Sequence, residues 1–306
     1  MFTRNYTEVG GTNIEMKQRH STSLEHDYQY CERIIQKHSK SLYFAFSKLP
    51  KEKAQAVYAI YAFCRLADDS IDEAVSREDQ EKALTYMTEE LNKFEAGNES
   101  DHPILRALRD VFNRYDMSIQ PFYDQLKGQE MDYYFKQPAT LEDLETYSYY
   151  VAGSVGLMLL PIIASKNHHT LKDEAVALGV AMQLTNILRD VGEDYQKNNR
   201  IYLLSELMKK ERYTEEDIAG QHINESFIMI WETLATRAEA LYDVFNQSIS
   251  LYDEDSQFPV LLSAKVYGGI LDAVRTSSYD CYSKRNQTSA RKKMALYNET
   301  KMALSK

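Results

Sequence analysis

Residues 54–72 read AQAVYAIYAFCRLADDSID, a segment that is apolar around almost its whole circumference except near its end. Such a pattern predicts a buried helix. At about 100° per residue, Tyr61, Arg65 and Asp72 fall within roughly 60° of Asp68, so two acids, a base and a phenol share one stripe. Charges on a buried helix are costly unless they are paired or bind a metal. We therefore interpret Asp68 and Asp72 as candidate metal ligands; a solvated helix face is the alternative.

A second segment repeats this pattern. Residues 176–194 read VALGVAMQLTNILRDVGED. In one continuous helix, Asn186, Asp190 and Asp194 would lie at i, i+4 and i+8 on one face, with Gln183 within roughly 80° of them. Carboxylate and amide oxygens are ligands that suit Mg²⁺. Arg189, beside this stripe, could reach a phosphate. The alternative is a helix end with scattered capping residues.

The composition predicts an all-α protein. The chain has 306 residues with only 11 glycines and 6 prolines, and few helix breakers mean long helices. Helical patterning begins near Leu24, and no linker or repeat is visible. We expect a flexible polar tail over residues 1–23 and one helical domain over residues 24–300. Pro103 is expected to open a helix, and Thr140 with Asp143 resembles a capping box.

Charge and cysteine content exclude several classes of protein. The net charge is −10, from 36 Lys and Arg against 46 Asp and Glu, which argues against nucleic acid as the main partner. Three scattered cysteines, Cys31, Cys64 and Cys281, favour a reducing cytoplasm. The apolar run over residues 151–164 is shorter than the roughly 20 residues that span a bilayer. The pair His168-His169 is interpreted as a polar turn rather than a zinc site, because adjacent residues do not share a helix face.

Several motifs together carry a family resemblance. They occur in one order along the chain: His38-Ser39-Lys40-Ser41 with Phe44, then Tyr61 to Asp72, then Tyr147 with Val151 to Gly156, and then Gln183 to Asp194 with Arg200 to Leu203. Over about residues 28–295 the chain resembles the head-to-head prenyl synthases, and it most resembles bacterial dehydrosqualene synthases. The resemblance implies a single-domain, class I terpenoid-synthase-like helical bundle with a central active-site cavity.

The resemblance also implies an activity. Two farnesyl diphosphates would condense head to head through a cyclopropyl intermediate, presqualene diphosphate, to dehydrosqualene for carotenoid biosynthesis. Two or three Mg²⁺ ions would be needed, and NADPH is not expected. The implied catalytic residues are Asp68, Asp72, Asp190, Asp194, Tyr147 and Arg65, and the implied metal ligands are Asp68, Asp72, Asn186, Asp190 and Asp194. The implied substrate-binding residues are His38, Ser39, Lys40, Ser41, Tyr61, Arg65, Gln183, Asn186, Arg189, Tyr267 and Arg285, with Lys284 as an alternative to Arg285. Gly153, Gly156, Leu157 and Leu160 are expected to line a dry channel, unless the glycines serve helix packing alone.

Other functions stay open at this point. A phytoene synthase would use two geranylgeranyl diphosphates, and a squalene synthase would add NADPH. A terpene cyclase or a head-to-tail prenyltransferase would use the same metal chemistry, whereas a non-catalytic helical scaffold would bind no diphosphate. For a synthase we further expect a cytoplasmic location, peripheral membrane contact for release of an insoluble product, and a carotenoid desaturase as downstream partner.

Overall fold

The computed structural model describes residues 13–72 and 74–305, with side chains from residue 23 onward except that of residue 72. Within these ranges the regular secondary structure is helical, and no strand occurs. The expectation of an all-α protein is therefore confirmed. The helices are α1 (Asn13–His38), α2 (Lys40–Phe46), α3 (Lys51–Asp72), α4 (Arg77–Glu95), α5 (Pro103–Arg114), α6 (Gln120–Tyr133), α7 (Leu141–Ser148), α8 (Ser154–Ile163), α9 (Lys172–Arg189), α10 (Val191–Asn198), α11 (Ser205–Glu211), α12 (Glu215–Ala219), α13 (Glu225–Ser248), α14 (Glu254–Thr276) and α15 (Ala290–Leu304). A π-helical turn, Tyr149–Gly153, joins α7 to α8, and a 3₁₀ turn, Ile249–Leu251, follows α13.

Local signals in the sequence set several helix starts. Pro103 occupies the first position of α5. Thr140 and Asp143 form the expected capping box of α7, in which each side chain accepts a bond from the other residue's backbone N–H. At the N-terminus, α1 begins at Asn13, well before Leu24 where the apolar pattern starts. The expected tail therefore lies partly in α1, and its residues 1–12 lie outside the described residues.

The second acidic segment is not one continuous helix. α9 ends at Arg189 and α10 begins at Val191, with Asp190 between them at φ −106° and ψ 16°. The N–H of Gly192 donates to the carbonyl of Cys281, 3.2 Å away. A side chain at Gly192 would meet the backbone of Tyr282 at 2.7 Å, so glycine lets the C-terminal segment approach. The prediction that Asn186, Asp190 and Asp194 share one helical face is wrong for this reason.

The central helices enclose a space rather than filling it. α9 packs against α13, α14 and α8, while α3 packs against α1, α5 and α8. α8 and α9 approach closely, because a side chain at Gly156 would meet the Ala175 carbonyl at 2.4 Å, and one at Gly179 would meet the Ala152 carbonyl at 2.4 Å. This close packing explains why glycine occupies both positions.

One helical stretch in the described part of the chain, Leu141–Ile163, is long and apolar enough to cross a membrane by length and composition alone. About half of it is buried in the fold. Core helices of soluble proteins pass the same test. Several of its other apolar residues, including Val151, Val155 and Leu159, face an internal cavity, so the apolar character of this stretch has an explanation within the fold.

Candidate functional site

A cavity of about 530 Å³ lies between α2, α3, α8, α9 and α14. One end is polar and is lined by His38, Ser39, Lys40, Ser41, Tyr61, Arg65, Asp68, Gln183, Asn186, Arg189, Tyr267 and Arg285. The rest is mainly apolar, with Phe46, Val57, Val155, Leu159, Ile163, Leu178, Tyr252 and Val260 among its walls. All substrate-binding residues expected from the resemblance therefore meet in one place. Arg285 lines the cavity, whereas Lys284 does not, which favours Arg285 of those two alternatives.

The carboxylate of Asp68 is held by two neutral amides. Gln125 donates to it from 3.2 Å, and Gln129 also donates; both residues lie on α6. Arg65 forms its ion pair with Asp69 instead of Asp68. Burial disfavours the charged guanidinium, but the bond and the charge of Asp69 outweigh burial and raise the pKa of Arg65. Arg65 thus stays cationic at the cavity. The side chain of Asp72 lies outside the described residues.

The second motif brings an amide and a carboxylate to the same end. The hydroxyl of Tyr267 donates to Oδ1 of Asn186 at 3.0 Å. Asp190 accepts bonds from Arg189 and from Arg285, the latter at 3.3 Å. Arg285 reaches Asp190 because its segment docks at Gly192, as described above. The helix break therefore creates a contact between the two arginines and one carboxylate that a continuous helix does not predict.

Asp194 lies apart from the main cavity. It borders a small neighbouring space with Arg200 and Tyr202. Burial, followed by the nearby charges of Asp190, Glu193 and Asp132, raises the pKa of Asp194 to about 7. A buried carboxylate among other carboxylates gains stability from a cation. Asp194 is accordingly separated from Asn186 by the helix break, yet remains electrostatically coupled to Asp190.

Tyr147 belongs to a buried polar network and does not line the main cavity. Its hydroxyl donates to Asp132 at 3.0 Å, and that of Tyr202 donates to the same oxygen at 2.8 Å. The guanidinium of Arg200 donates to the Asp132 carbonyl at 2.9 Å and lies 3.6 Å from its carboxylate. Burial, and then the charge of Asp132, raises the pKa of Tyr147 well above its usual value. Tyr147 is thus a neutral phenol that is buried outside the cavity lining and bonds Asp132.

Sequence reasoning missed four side chains around the site. Asp132, Gln125 and Gln129 all lie on α6, outside the two aspartate motifs. Lys293, on α15, is partly buried close to Lys40, and burial followed by the charge of Lys40 lowers the pKa of Lys293. A second cation beside Lys40 is unfavourable in the free protein and becomes favourable when an anion binds between them. Gln125, Gln129 and Asp132 lie at i, i+4 and i+7 on one face of α6, a polar pattern that could have identified them, whereas the proximity of Lys293 to Lys40 has no local signal.

The expected channel lining was only partly right. Gly156 borders the cavity, but Gly153, Leu157 and Leu160 do not. Val151, Ala152, Val155 and Leu159 line it with Gly156. The first two belong to the π-helical turn, which adds a residue to one helical turn and rotates the following face relative to an ideal α-helix. The channel prediction failed because the sequence did not reveal this turn.

Comparisons with known proteins decide the family. Residues 35–293 match the family model of squalene/phytoene synthases. The chain belongs to the squalene/phytoene synthase family. It is 37% identical to a 4,4'-diapophytoene synthase of Staphylococcus haemolyticus (strain JCSC1435) over 281 residues, covering 92% of this chain and 98% of that protein. It is 36% identical to a 15-cis-phytoene synthase of Synechococcus elongatus (strain ATCC 33912 / PCC 7942 / FACHB-805) over 274 residues, covering 86% and 88%.

A solved structure agrees with this assignment. The crystal structure of a dehydrosqualene synthase in complex with a ligand superimposes with a TM-score of 0.88 at 43% identity, covering 94% of this chain and 99% of that one. The similarity thus extends over nearly the whole fold of this squalene/phytoene synthase family member, including both aspartate motifs. The family assignment removes the non-catalytic scaffold as an alternative, and the chain is an enzyme of the prenyltransferase type.

Proposed function

We propose that this protein joins two farnesyl diphosphates head to head and releases dehydrosqualene and diphosphate, as a step of carotenoid biosynthesis. The observation that carries the proposal is the cavity, which has a cationic end that includes the carboxylate of Asp68 and an otherwise mainly apolar interior. That polarity fits a diphosphate with a long hydrocarbon tail. The similarity to a 4,4'-diapophytoene synthase, which is another name for a dehydrosqualene synthase, favours the C15 substrate.

The oxygen donors of the two aspartate motifs fit magnesium. We propose that Asp68, Asp72, Asn186, Asp190 and Asp194 would hold two or three Mg²⁺ ions. All five offer carboxylate or amide oxygens, which are hard ligands. Burial and the charges of Asp190, Glu193 and Asp132 raise the pKa of Asp194 despite the nearby Arg200, so a further cation would stabilise the charged form of this carboxylate. When bound, Mg²⁺ supplies Lewis-acid assistance to the departure of a diphosphate.

The chain's own residues would stabilise the leaving diphosphate. Lys40, Arg65, Arg189 and Arg285 offer fixed positive charge at one end of the cavity, and charge-assisted bonds to phosphate oxygens are strong. Tyr61 and Tyr267 add hydroxyl donors. His38, Ser39 and Ser41 are assigned to the second diphosphate. The first substrate would lose diphosphate to give an allylic cation, and the double bond of the second would attack that cation to form the cyclopropyl intermediate.

Two further parts of the chain support the later steps. The apolar walls would exclude water, which would otherwise quench a carbocation. After the second diphosphate leaves and the carbon skeleton rearranges, loss of one proton gives the central double bond. The Tyr147 hydroxyl is held by Asp132, outside the cavity lining. We therefore assign Tyr147 and Asp132 to positioning the second motif rather than to contact with the cation.

A phytoene synthase is the second candidate, because the chain is also 36% identical to a 15-cis-phytoene synthase. That enzyme class would require space for two C20 chains. A squalene synthase is a third candidate, since a solved squalene synthase from Alicyclobacillus acidocaldarius shares 26% identity and a TM-score of 0.76. The present proposal includes no NADPH.

We also propose where the enzyme works. The three cysteines are free and buried, which agrees with a cytoplasmic location. Peripheral membrane contact would let an insoluble product leave, and α15 offers exposed Met294 and Met302 beside Arg291 and Lys292. A desaturase acting on the hydrocarbon would be the next enzyme. Binding of the protein to vesicles at low salt, compared with a variant carrying Met294→Ser and Met302→Ser, tests the membrane contact; equal binding would exclude α15.

A product assay tests the main proposal. Purified protein receives farnesyl diphosphate or geranylgeranyl diphosphate with Mg²⁺, with and without NADPH. The proposal predicts a C30 hydrocarbon with a central triene from farnesyl diphosphate, unchanged by NADPH. Asp68→Asn should lower the rate at least ~100-fold, while Asp243→Asn, an exposed control on α13, should not. A C40 product would establish phytoene synthase, and NADPH-dependent squalene would establish the third candidate.

A further inference from the structure

Two turns far from the diphosphate-binding end bring two histidines and an aspartate together. Among the described residues, Asp116, His168 and His169 form a group whose ligand atoms all lie within 4.8 Å of one another. Asp116 lies between α5 and α6, while the histidines lie between α8 and α9. The three residues come from segments 52 positions apart, so the sequence offers no spacing that predicts the group. The expected polar turn at His168-His169 is confirmed, but the turn also faces a carboxylate.

The hydrogen bonds of His168 determine which of its nitrogens is available. Nδ1 lies 2.9 Å from the carbonyl oxygen of Ser165. A carbonyl only accepts, so Nδ1 must carry the proton. In a neutral ring, Nε2 then presents its lone pair, and it lies 3.2 Å from Oδ2 of Asp116. Two lone pairs at that distance repel unless a proton or a metal ion lies between them. The bond from Nδ1 to a backbone carbonyl is also the usual way in which a metal-binding histidine is oriented.

Both distances from Asp116 to the histidines are close to those of a tetrahedral zinc site. Ligands about 2.1 Å from a tetrahedral Zn²⁺ are roughly 3.4 Å apart. Nε2 of His168 and Nε2 of His169 lie 3.2 Å and 3.7 Å from the same Asp116 oxygen, on either side of that value. The two imidazole rings lie side by side with centroids 4.0 Å apart. Two imidazoles and one carboxylate leave a fourth position for water, and this ligand set is typical of zinc.

The turn that carries the histidines is held in place before any ion binds. The backbone N–H and the hydroxyl of Ser165 both donate to Asp253 at 3.1 Å. The side-chain amide of Asn167 donates to the Leu251 carbonyl at 2.6 Å. Only 14% of the His168 side chain is exposed. A ligand pair on a fixed turn loses little conformational entropy on binding.

We propose that Asp116, His168 and His169 form a binding site for zinc or a similar divalent transition metal, separate from the magnesium site. Along α9, 14 residues separate Lys172, next to the turn, from Asn186 at the polar end of the cavity. This corresponds to about 21 Å at 1.5 Å per residue. The metal joins the α5–α6 turn to the α8–α9 turn near Ile163, where α8 ends and the apolar part of the cavity closes. Its role is structural, because it lies outside that cavity.

Zinc binding to the whole protein tests this assignment. Protein dialysed against EDTA is titrated with ZnCl₂ in excess Mg²⁺, which occupies the carboxylate sites. We expect one zinc per chain at micromolar concentration, and a rise in the thermal midpoint on zinc addition. His168→Ala, His169→Ala and Asp116→Asn should each weaken binding at least ~10-fold and abolish the rise in the thermal midpoint. Because Asp116 and His169 are exposed, these two variants should fold.

A matched control uses the other histidine–aspartate contact. His222 lies 3.0 Å from Asp217 on the surface, without a second histidine beside it. His222→Ala should therefore bind zinc as tightly as the unmodified protein. Equal zinc affinity in His168→Ala and His222→Ala would overturn the proposal, and so would the absence of zinc binding at micromolar concentration.

Discussion

The carboxylate of Asp132 accepts hydrogen bonds from two tyrosines. Tyr147 and Tyr202 both donate to its Oδ1, and Arg200 lies 3.6 Å from that oxygen. Removing the charge while keeping the shape disturbs all three partners at once. Because Asp132 also contributes to the raised pKa of Asp194, the disturbance reaches the second motif. We infer that Asp132 positions that motif without touching substrate.

Asp132→Asn tests this positioning role. We expect kcat to fall roughly 10- to 100-fold, as for other residues that orient metal ligands, with KM for farnesyl diphosphate almost unchanged. Asp124→Asn is the matched control, since Asp124 lies on the same helix and accepts a bond from another phenol, Tyr149, at 2.6 Å. Steady-state kinetics of both variants, with thermal melts, make the comparison. Equal kcat in the two variants would show that the Asp132 network serves only stability.

The residues that sequence reasoning found and those that it missed differ in a physical way. Gln183 was found because it shares a helical face with the second acidic motif, and His38 to Ser41 were found through the family resemblance; all of them reach the cavity. Asp132 was missed because its partners are 15 and 70 positions away. Asp132 shares one face of α6 with Gln125 and Gln129, but that pattern does not reveal its contacts with Tyr147 and Tyr202.

At the scale of helices, the contact between α8 and α9 depends on glycine residues, which have no side chain to separate the two backbones. A Cβ at Gly156 would lie 2.4 Å from the Ala175 carbonyl, and backbone cannot move away as a side chain can. Gly156→Ala should therefore lower the free energy of unfolding by about 1–3 kcal/mol. Urea denaturation measures this difference.

Gly268→Ala provides the opposite case. On α14, the added Cβ would meet the Tyr242 ring at 3.5 Å, an ordinary contact. Alanine in a helix interior is favoured over glycine by about 0.5–1 kcal/mol, so this variant should be as stable as the unmodified protein or more so. A destabilised Gly268→Ala together with an unaffected Gly156→Ala would refute the packing argument for both positions.

A second contact between helices depends on charge. Arg275 of α14 bonds both carboxylate oxygens of Glu232 at 2.8 Å and also reaches Glu239, both on α13. The bond from Arg275, with a smaller contribution from Tyr279, lowers the pKa of Glu232. A carboxyl with a lowered folded pKa stabilises the protein above its ordinary pKa of 4.5 and loses that contribution as the pH falls through the folded value.

Glu232→Gln should therefore be destabilising at pH 7 and harmless in acid. We expect the variant's free energy of unfolding to be lower by about 1 kcal/mol at pH 7. This difference should shrink towards zero as the pH falls below the folded pKa of Glu232. Urea denaturation at a series of pH values measures the difference, with Glu81→Gln on the surface of α4 as control. A difference that does not depend on pH would assign the effect to shape rather than to charge.

The helix break at Asp190 shows why element boundaries were harder to predict than elements. The apolar periodicity continues through Val191, so the sequence predicts one helix. The break depends on the segment around Cys281, whose carbonyl receives the Gly192 N–H, some 90 positions later in the chain. Likewise, the π-helical turn at Tyr149–Gly153 has no signal in the local pattern. Tertiary contacts decide both features.

For the whole molecule, the apolar residues of the sequence serve two purposes, because some form the core and others form the walls of the cavity. The apolar run over residues 151–164 and the apolar body of α3 were predicted as core, and many of their side chains do pack in the core. Others, such as Val57 and Leu159, are needed as walls. Periodicity alone cannot distinguish an apolar side chain that meets another helix from one that meets a substrate. The family and the general position of the site were therefore predictable, but the depth of the cavity was not.

The depth of the cavity decides the length of the substrate. Val57 lies 11 residues before Asp68 on α3, and Ala175 lies 11 residues before Asn186 on α9, which places both about 16 Å from the polar end. On α14, Val260 precedes Tyr267 by about 10 Å, and Tyr252 precedes that helix. Tyr252 therefore belongs to the closed end. It is 3% exposed and its ring packs edge-on against Phe245.

Tyr252→Ala should lengthen the cavity and shift the choice of substrate. We expect the ratio of kcat/KM for geranylgeranyl diphosphate to that for farnesyl diphosphate to rise about 10-fold or more, because a few methylene groups gained or lost in an apolar site change binding by that order. The ratio does not depend on the fraction of folded enzyme, so lost stability does not obscure it. Tyr213→Ala removes a tyrosine that is also buried but lies outside the cavity and should leave the ratio unchanged. If both variants keep the original ratio, the closed end at Tyr252 does not limit chain length, and the limit must lie in the walls formed by α2 and α3.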